Sequence, residues 1–215
     1  MNSHDTPEKS YDLERLIFFS DGVFAIAITL LVIELHPPEN WDHSFSGLME
    51  HVAAHLVYYF ISFAALGAFW MMHRFIFRHV RVFRETASWI NLLFLATVCL
   101  IPFGNMLLGA GDITMNVIWI YIGLMSAASL VGGFLWSYLS LITAATDPRL
   151  TTGFKLIMLL RIAILPPVMC AASLWVGMLY GMLPSGLFAA AIIFLSTLIK
   201  SKPYKDPAIT ADDAG

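Results

Sequence analysis

Charge is scarce in this sequence. Only 13% of its 215 residues are Asp, Glu, Lys or Arg, against roughly 25% in ordinary globular domains. Between Thr86 and Asp147 the one residue of that set is Asp112. Hydrophobic residues make up 59% of the chain. A soluble domain of this size has too few polar side chains to cover that much apolar surface. Cysteine is nearly absent as well. Cys99 and Cys170 both sit in apolar stretches, so a disulfide framework and a CxxC metal motif are excluded, and both read as small buried hydrophobes. No HExxH, no glycine-rich nucleotide loop and no TVGYG filter occurs. The first residues are polar and largely acidic, without a short apolar core closed by small residues, so no cleavable signal peptide is expected. These absences argue against an enzyme, a cofactor or a metal centre.

What is present is long apolar runs. A membrane-spanning helix needs about 20 mainly apolar residues. The chain predicts six: helix 1 near Leu13–Leu35, helix 2 over His51–Met72, helix 3 over Ser88–Leu108, helix 4 near Ile113–Thr143, helix 5 over Phe154–Leu179 and helix 6 near Met182–Ile199. The expected organisation is therefore a polar tail over 1–12, an all-α transmembrane domain over 13–199 and a second polar tail over 200–215. Pro37-Pro38 closes helix 1. Pro166-Pro167 falls inside helix 5 and predicts a kink there, which membrane helices tolerate when neighbours satisfy the released carbonyls.

The basic residues set the expected orientation. Lys9 and Arg15 stand at the start of helix 1. Arg74, Arg78, Arg81 and Arg84 join helices 2 and 3. Arg149, Lys155 and Arg161 follow helix 4, and Lys200, Lys202 and Lys205 follow helix 6. An even helix count puts all of them on one side. The opposite connections carry Glu39, Asp42, Glu50 and Asp112 instead. A multi-pass protein of the cell membrane with both termini cytoplasmic is expected.

The most informative stretch runs from Arg15 through Phe19-Ser20-Asp21-Gly22 into helix 1. A carboxylate inside a membrane helix is costly and should face protein or water rather than lipid. Asp21 fits either a structural polar network or an ion or proton ligand. His73 and Asn91 lie at the same depth on helices 2 and 3, so Asp21, His73 and Asn91 are expected to hydrogen-bond and clamp helix 1. Along helix 1, Phe19, Gly22, Ile26, Leu30 and Ile33 are spaced 3, 4, 4 and 3. At about 100° per residue they share one face. Periodicity alone fits a packed seam as well as a pore wall.

Arg15-x-x-x-Phe19-Ser20-Asp21, with Phe69-Trp70-Met71-Met72-His73, Asn91-Leu92-Leu93-Phe94-Leu95 and Ile101-Pro102-Phe103, closely resembles the transmembrane protein 175 family. That family comprises the endosomal and lysosomal potassium channel and its prokaryotic homologues. The resemblance covers the first half of the chain. It implies a homotetramer with a central pore lined by helix 1 and potassium ions as the permeant species; protons are a further candidate permeant, outside what the resemblance implies. It implies a constriction by Ile26, Leu30 and Ile33, the positions also picked out by the stripe, and a selectivity role for the Thr29 hydroxyl. Another hydroxyl position of the family is Ala25 here. Arg15, Phe19, Ser20, Asp21, His73 and Asn91 become structural supports. A ring of aliphatic side chains can gate by dewetting where no carbonyl filter exists.

Rival readings are weighed on the residues. A secondary transporter would use Asp21 as a coupling-ion ligand, but transporters favour midplane sites and inverted repeats, which are not evident here. A non-conducting membrane interaction protein is the other rival. Asp12 and Asp112 imitate an intramembrane protease pair but fall on opposite membrane faces. His51 and His55, four residues apart, imitate a metal pair without an HExxH. The Arg74–Arg84 stripe reads as attraction to anionic lipid headgroups rather than nucleic-acid binding, since no aromatic platform accompanies it.

Overall fold

The computed structural model describes residues 7–33, 35–37, 42–82, 84–110 and 114–180. Among them the architecture is all-helical: α1 (Pro7–Ile33), α2 (Phe45–Arg78), α3 (Glu85–Cys99), α4 (Ile101–Gly109), α5 (Met115–Ser137), α6 (Thr152–Ala163) and α7 (Leu165–Tyr180), with a π-helical turn at Tyr138–Ile142. Four stretches are long and apolar enough to cross a membrane: Tyr11–Ile33, His55–Arg78, Glu85–Gly109 and Met115–Ile142. The expected helix 6 and both terminal segments 1–6 and 181–215 lie outside the described residues.

The helix ends differ from expectation for local reasons. Helix α1 extends well ahead of Leu13, with Pro7 its first described residue, because polar side chains do not prevent helix. Helix α2 is much longer than His51–Met72. Ser44 caps it by accepting from the Gly47 N–H at 3.0 Å, and Arg74 and Arg78 extend it without breaking it. Hydropathy marks where the apolar stretch ends, while caps mark where the helix ends. The expected helix 3 is two pieces that meet at Leu100, just ahead of Pro102, whose missing N–H interrupts the hydrogen-bond ladder. Pro166 acts likewise. The chain breaks at Ile164 between α6 and α7, where the sequence places a kink.

The last turn of α5 widens into the π-helix, with the Thr143 N–H reaching Tyr138 O at 2.9 Å. Widening leaves the Ser140 carbonyl to accept from Lys155 Nζ at 2.9 Å. Trp136 Nε1 donates to the Lys155 carbonyl at 2.9 Å. This reciprocal pair pins α6 against α5.

Two hydrophobic clusters fill the bundle. One joins Phe24, Ala27 and Leu31 of α1 to Leu66, Phe69, Phe94, Val98, Tyr121 and Met125. The other gathers Ile76, Phe77, Trp136, Leu139, Phe154 and Met158 at the end where the basic residues lie. Gly133 permits a close approach of α5 and α6, since a Cβ there would stand 2.7 Å from Ala163 Cβ and 3.3 Å from its Cα. Cys99 is exposed, contrary to the expectation of burial. It lies on the face of α3 turned from the core, next to buried Val98.

Candidate pore-lining helix and its anchor

Helix α1 packs through one face only. Ser20, Phe24, Ala27 and Leu31 repeat at 4, 3 and 4 and are buried. The stripe of Phe19, Gly22, Ile26, Leu30 and Ile33 lies on another face, and this single chain leaves it uncovered: Ile26 is 62%, Leu30 41% and Ile33 57% exposed. Phe18, Ala25, Thr29 and Val32 are exposed beside it. The Thr29 hydroxyl donates to its own helix, at Ile26 O, 2.9 Å away. A Cβ on Gly22 would meet nothing within 4 Å.

The buried face carries the polar anchor, which differs from the expected clamp in one member. Ser20, not Asp21, meets Asn91. Asn91 Nδ2 donates to Ser20 Oγ at 2.9 Å, and Ser20 Oγ donates to Leu16 O at 2.7 Å. Asn91 Oδ1 faces His73 Nε2 at 3.0 Å. Because a carbonyl oxygen only accepts, this arrangement requires the Nε2–H tautomer of His73. His73, Asn91 and Ser20 are all fully buried, and Phe24, Phe77 and Phe94 surround the imidazole with ring centroids 4.6–6.1 Å away.

Asp21 turns aside, one residue and about 100° around the helix. Its Oδ1 accepts from Trp70 Nε1 at 2.8 Å. The Trp70 ring in turn carries the Arg74 guanidinium 4.7 Å from its centroid. The carboxylate is thus held by α2 instead of by Asn91. Arg15 and Phe19 stand outside both arrangements: the Arg15 guanidinium lies 5.6 Å from the Tyr11 ring centroid, and Phe19 is exposed. The motif therefore divides between two faces of α1.

A second polar cluster went unread in the sequence. Ser62 Oγ donates to Asn105 Oδ1 at 2.9 Å and lies 3.0 Å from Tyr121 OH, all buried between α2, α4 and α5. The signal was available, since Asn105 and Ser62 interrupt apolar runs at positions that lipid would penalise. His55 Nε2 lies 3.0 Å from Gly109 O, so this histidine ties α2 to α4. No group of three or more His, Cys, Asp and Glu fit to hold a metal occurs among the described residues.

Residues 15–102 match the family described as the endosomal/lysosomal potassium channel TMEM175. The match contains the α1 stripe, Trp70, His73 and Asn91. Over residues 15–102 the chain is similar to the TMEM175 family. The relatives agree with this. A protein named as a potassium channel from Chryseobacterium sp. (strain P1-3) is 36% identical over 115 residues, covering 53% of this chain and 58% of that one. The endosomal/lysosomal proton channel TMEM175 of Mus musculus is 38% identical over 117 residues, 46% of this chain and 23% of its own. The alignments thus span little more than half the length of the bacterial relative and about a quarter of the animal one. The fold extends further than the sequence match. The crystal structure of a lysosomal potassium-selective TMEM175 homolog from Chamaesiphon minutus superposes with a TM-score of 0.65 over 87% of this chain and 97% of that one, at 24% identity. The TMEM175 neighbours found by family, sequence and structure are ion channels and not enzymes.

Proposed function

We propose that this chain is one subunit of a homotetrameric cation channel that prefers potassium and also passes protons. It sits in the cell membrane as a multi-pass protein with both termini cytoplasmic. Four copies of α1 surround the axis, and Ile26, Leu30 and Ile33 form a hydrophobic constriction in place of a carbonyl filter. Thr29, on the adjoining face, contributes to selectivity. Conduction is a passive leak.

The observation that carries this reading is the division of α1 between a polar-anchored buried face and an uncovered aliphatic stripe. A helix fastened by Ser20 and Asp21 can present Ile26, Leu30 and Ile33 at a fixed position. One chain supplies one stripe, so closing a pore around it requires symmetric copies. A dry aliphatic ring opposes ions until it widens. Potassium surrenders hydration water at lower cost than sodium, which favours it at a narrow apolar passage. The names of the TMEM175 relatives, potassium channel and proton channel, support the same permeant ions.

The deciding experiment compares potassium and sodium flux in proteoliposomes for wild type and Leu30→Asn. A polar side chain in the constriction should keep it wet and raise flux of both ions. Unchanged flux would favour a non-conducting interaction protein. Saturable flux without unitary steps in bilayer recording would favour a transporter.

A further inference from the structure

Two connections meet at one end of the bundle, past the last turns of α2 and α5. The segment 79–82 lies against 143–151 through a short antiparallel bridge between Val80 and Thr146. The N–H groups of Arg81 and Val82 both reach Ala145 O, at 2.8 and 3.1 Å, and the Asp147 N–H reaches His79 O at 3.0 Å. On this stitched platform a single carboxylate, Asp147, holds two guanidinia. Arg81 Nη2 stands 3.1 Å and Arg149 Nη2 2.9 Å from its Oδ2, and Arg149 also reaches Oδ1 through Nε and its backbone N–H. The Asp147 side chain is 5% exposed, while those of Arg81 and Arg149 are 61% and 69% exposed. At Asp147 itself one carboxylate faces two guanidinia, a local excess of positive charge. Exposed Arg78 and Arg84 on the neighbouring segment add to it.

Exposed apolar residues are close to this charge along the backbone: Val82 follows Arg81, and Leu141 and Ile142 come just before Ala145, whose O accepts from the Arg81 and Val82 N–H groups. Val82, Leu141 and Ile142 are exposed, Ile142 at 65%. The membrane-capable stretches of α2, α3 and α5 end or begin at Arg78, Glu85 and Ile142, so the arginine pair stands level with the membrane surface. A guanidinium pair held by one carboxylate, with exposed aliphatic residues near it in the chain, suits a phosphodiester that carries acyl chains.

We propose that Arg81 and Arg149, aligned by Asp147, bind the phosphate of an anionic phospholipid whose acyl chains lie along Leu141, Ile142 and Val82. The site differs from general attraction of a basic surface in that two particular arginines carry it. It rests on the membrane placement proposed above but not on conduction. A protein that retains the lipid and passes no ions leaves it standing. A chain that stays in solution without detergent ends the membrane placement and this site together.

Native mass spectrometry of the full chain in detergent, with phosphatidylglycerol as probe and phosphatidylcholine of the same acyl chains as reference, tests it. The double variant Arg81→Gln/Arg149→Gln should bind phosphatidylglycerol about tenfold more weakly with phosphatidylcholine unchanged, and Arg78→Gln/Arg84→Gln, which removes equal charge, less than about threefold more weakly. Equal losses in the two doubles, or no loss in the first, would overturn the proposal. Full competition by millimolar inorganic phosphate would also overturn it, in favour of a soluble-anion site. Should the first double fail to fold, Arg149→Gln alone keeps the Arg81–Asp147 ion pair. It should weaken phosphatidylglycerol binding about threefold, and an unchanged affinity overturns the site.

Discussion

Trp70 donates its indole N–H to Asp21 Oδ1 across 2.8 Å while its ring face receives the Arg74 guanidinium at 4.7 Å. One side chain thus links the carboxylate within α1 to the basic end of α2. Trp70→Phe keeps an aromatic ring but removes the donor. It should lower unfolding stability in detergent by about 1.5–3 kcal/mol, the scale of a hydrogen bond to a charged group. Combined with Asp21→Asn it should cost less than the two single changes added together. Strict additivity would mean that the two residues do not act on each other.

Asn91 serves two partners at once. Asn91→Ala removes the acceptor of His73 Nε2 and the donor to Ser20 Oγ. A loss of about 1–3 kcal/mol is expected, read from the unfolding midpoint. A change below about 0.5 kcal/mol, the range of an ordinary surface substitution, would show that the anchor contributes nothing.

The two faces of α1 should respond differently to substitution. Phe24 is 1% exposed and packs against Phe94 and His73, so Phe24→Ala should cost about 3–5 kcal/mol. Leu30→Asn should leave subunit stability within about 0.5 kcal/mol while changing flux. Comparable destabilisation by both would mean that the stripe is core.

Gly132 and Gly133 should also differ. A Cβ on Gly132 meets the flexible end of Met72 at 2.7 Å and the edge of the Phe94 ring at 3.2 Å, whereas one on Gly133 meets Ala163 Cβ at 2.7 Å and its backbone. Gly133→Ala should therefore cost about 1–3 kcal/mol by forcing α5 and α6 apart, and Gly132→Ala clearly less. The reverse order in thermal unfolding would contradict the packing described here.

The Asp147 junction carries a pH signature. Its hydrogen bonds from Arg149, first from the side chain and then from the backbone, and the further bond from Arg81 hold the carboxyl below the ordinary aspartate value of 3.8. A depressed folded pKa means that its stabilisation is fully present above the unfolded value and lost as pH falls through the folded one. The stability difference between wild type and Asp147→Asn should be constant from pH 7 to about pH 5 and shrink only below about pH 4. A difference that already shrinks between pH 7 and pH 5 would contradict the lowered pKa.

Much of the candidate site could be read from residue order. The apolar runs located the four described spans, and spacing put Ile26, Leu30 and Ile33 on one face. The polar side chains of Ser20, His73 and Asn91 stood out because an apolar helix has little use for them. The pairings were less accessible. Ser20 and Asp21 are adjacent, and depth alone brings either one to Asn91. Which residue turns toward α3 depends on the rotation of α1 about its axis. Trp70 was visible within the motif, but nothing in its neighbours assigned its N–H to Asp21.

Residue order by itself determined that this chain is a helical membrane protein, where its charges cluster and which side chains of the opening helix share a face. Those properties follow from local periodicity and from the cost of placing charge in hydrocarbon. Only the tertiary structure decided that Ser20 holds Asn91 while Asp21 holds Trp70, that α2 runs from Phe45 to Arg78, and that Arg81 and Arg149 share Asp147. These depend on helix rotation, capping and the meeting of loops distant in sequence. Such contacts are set by packing among several helices at once, which no local pattern of residues specifies.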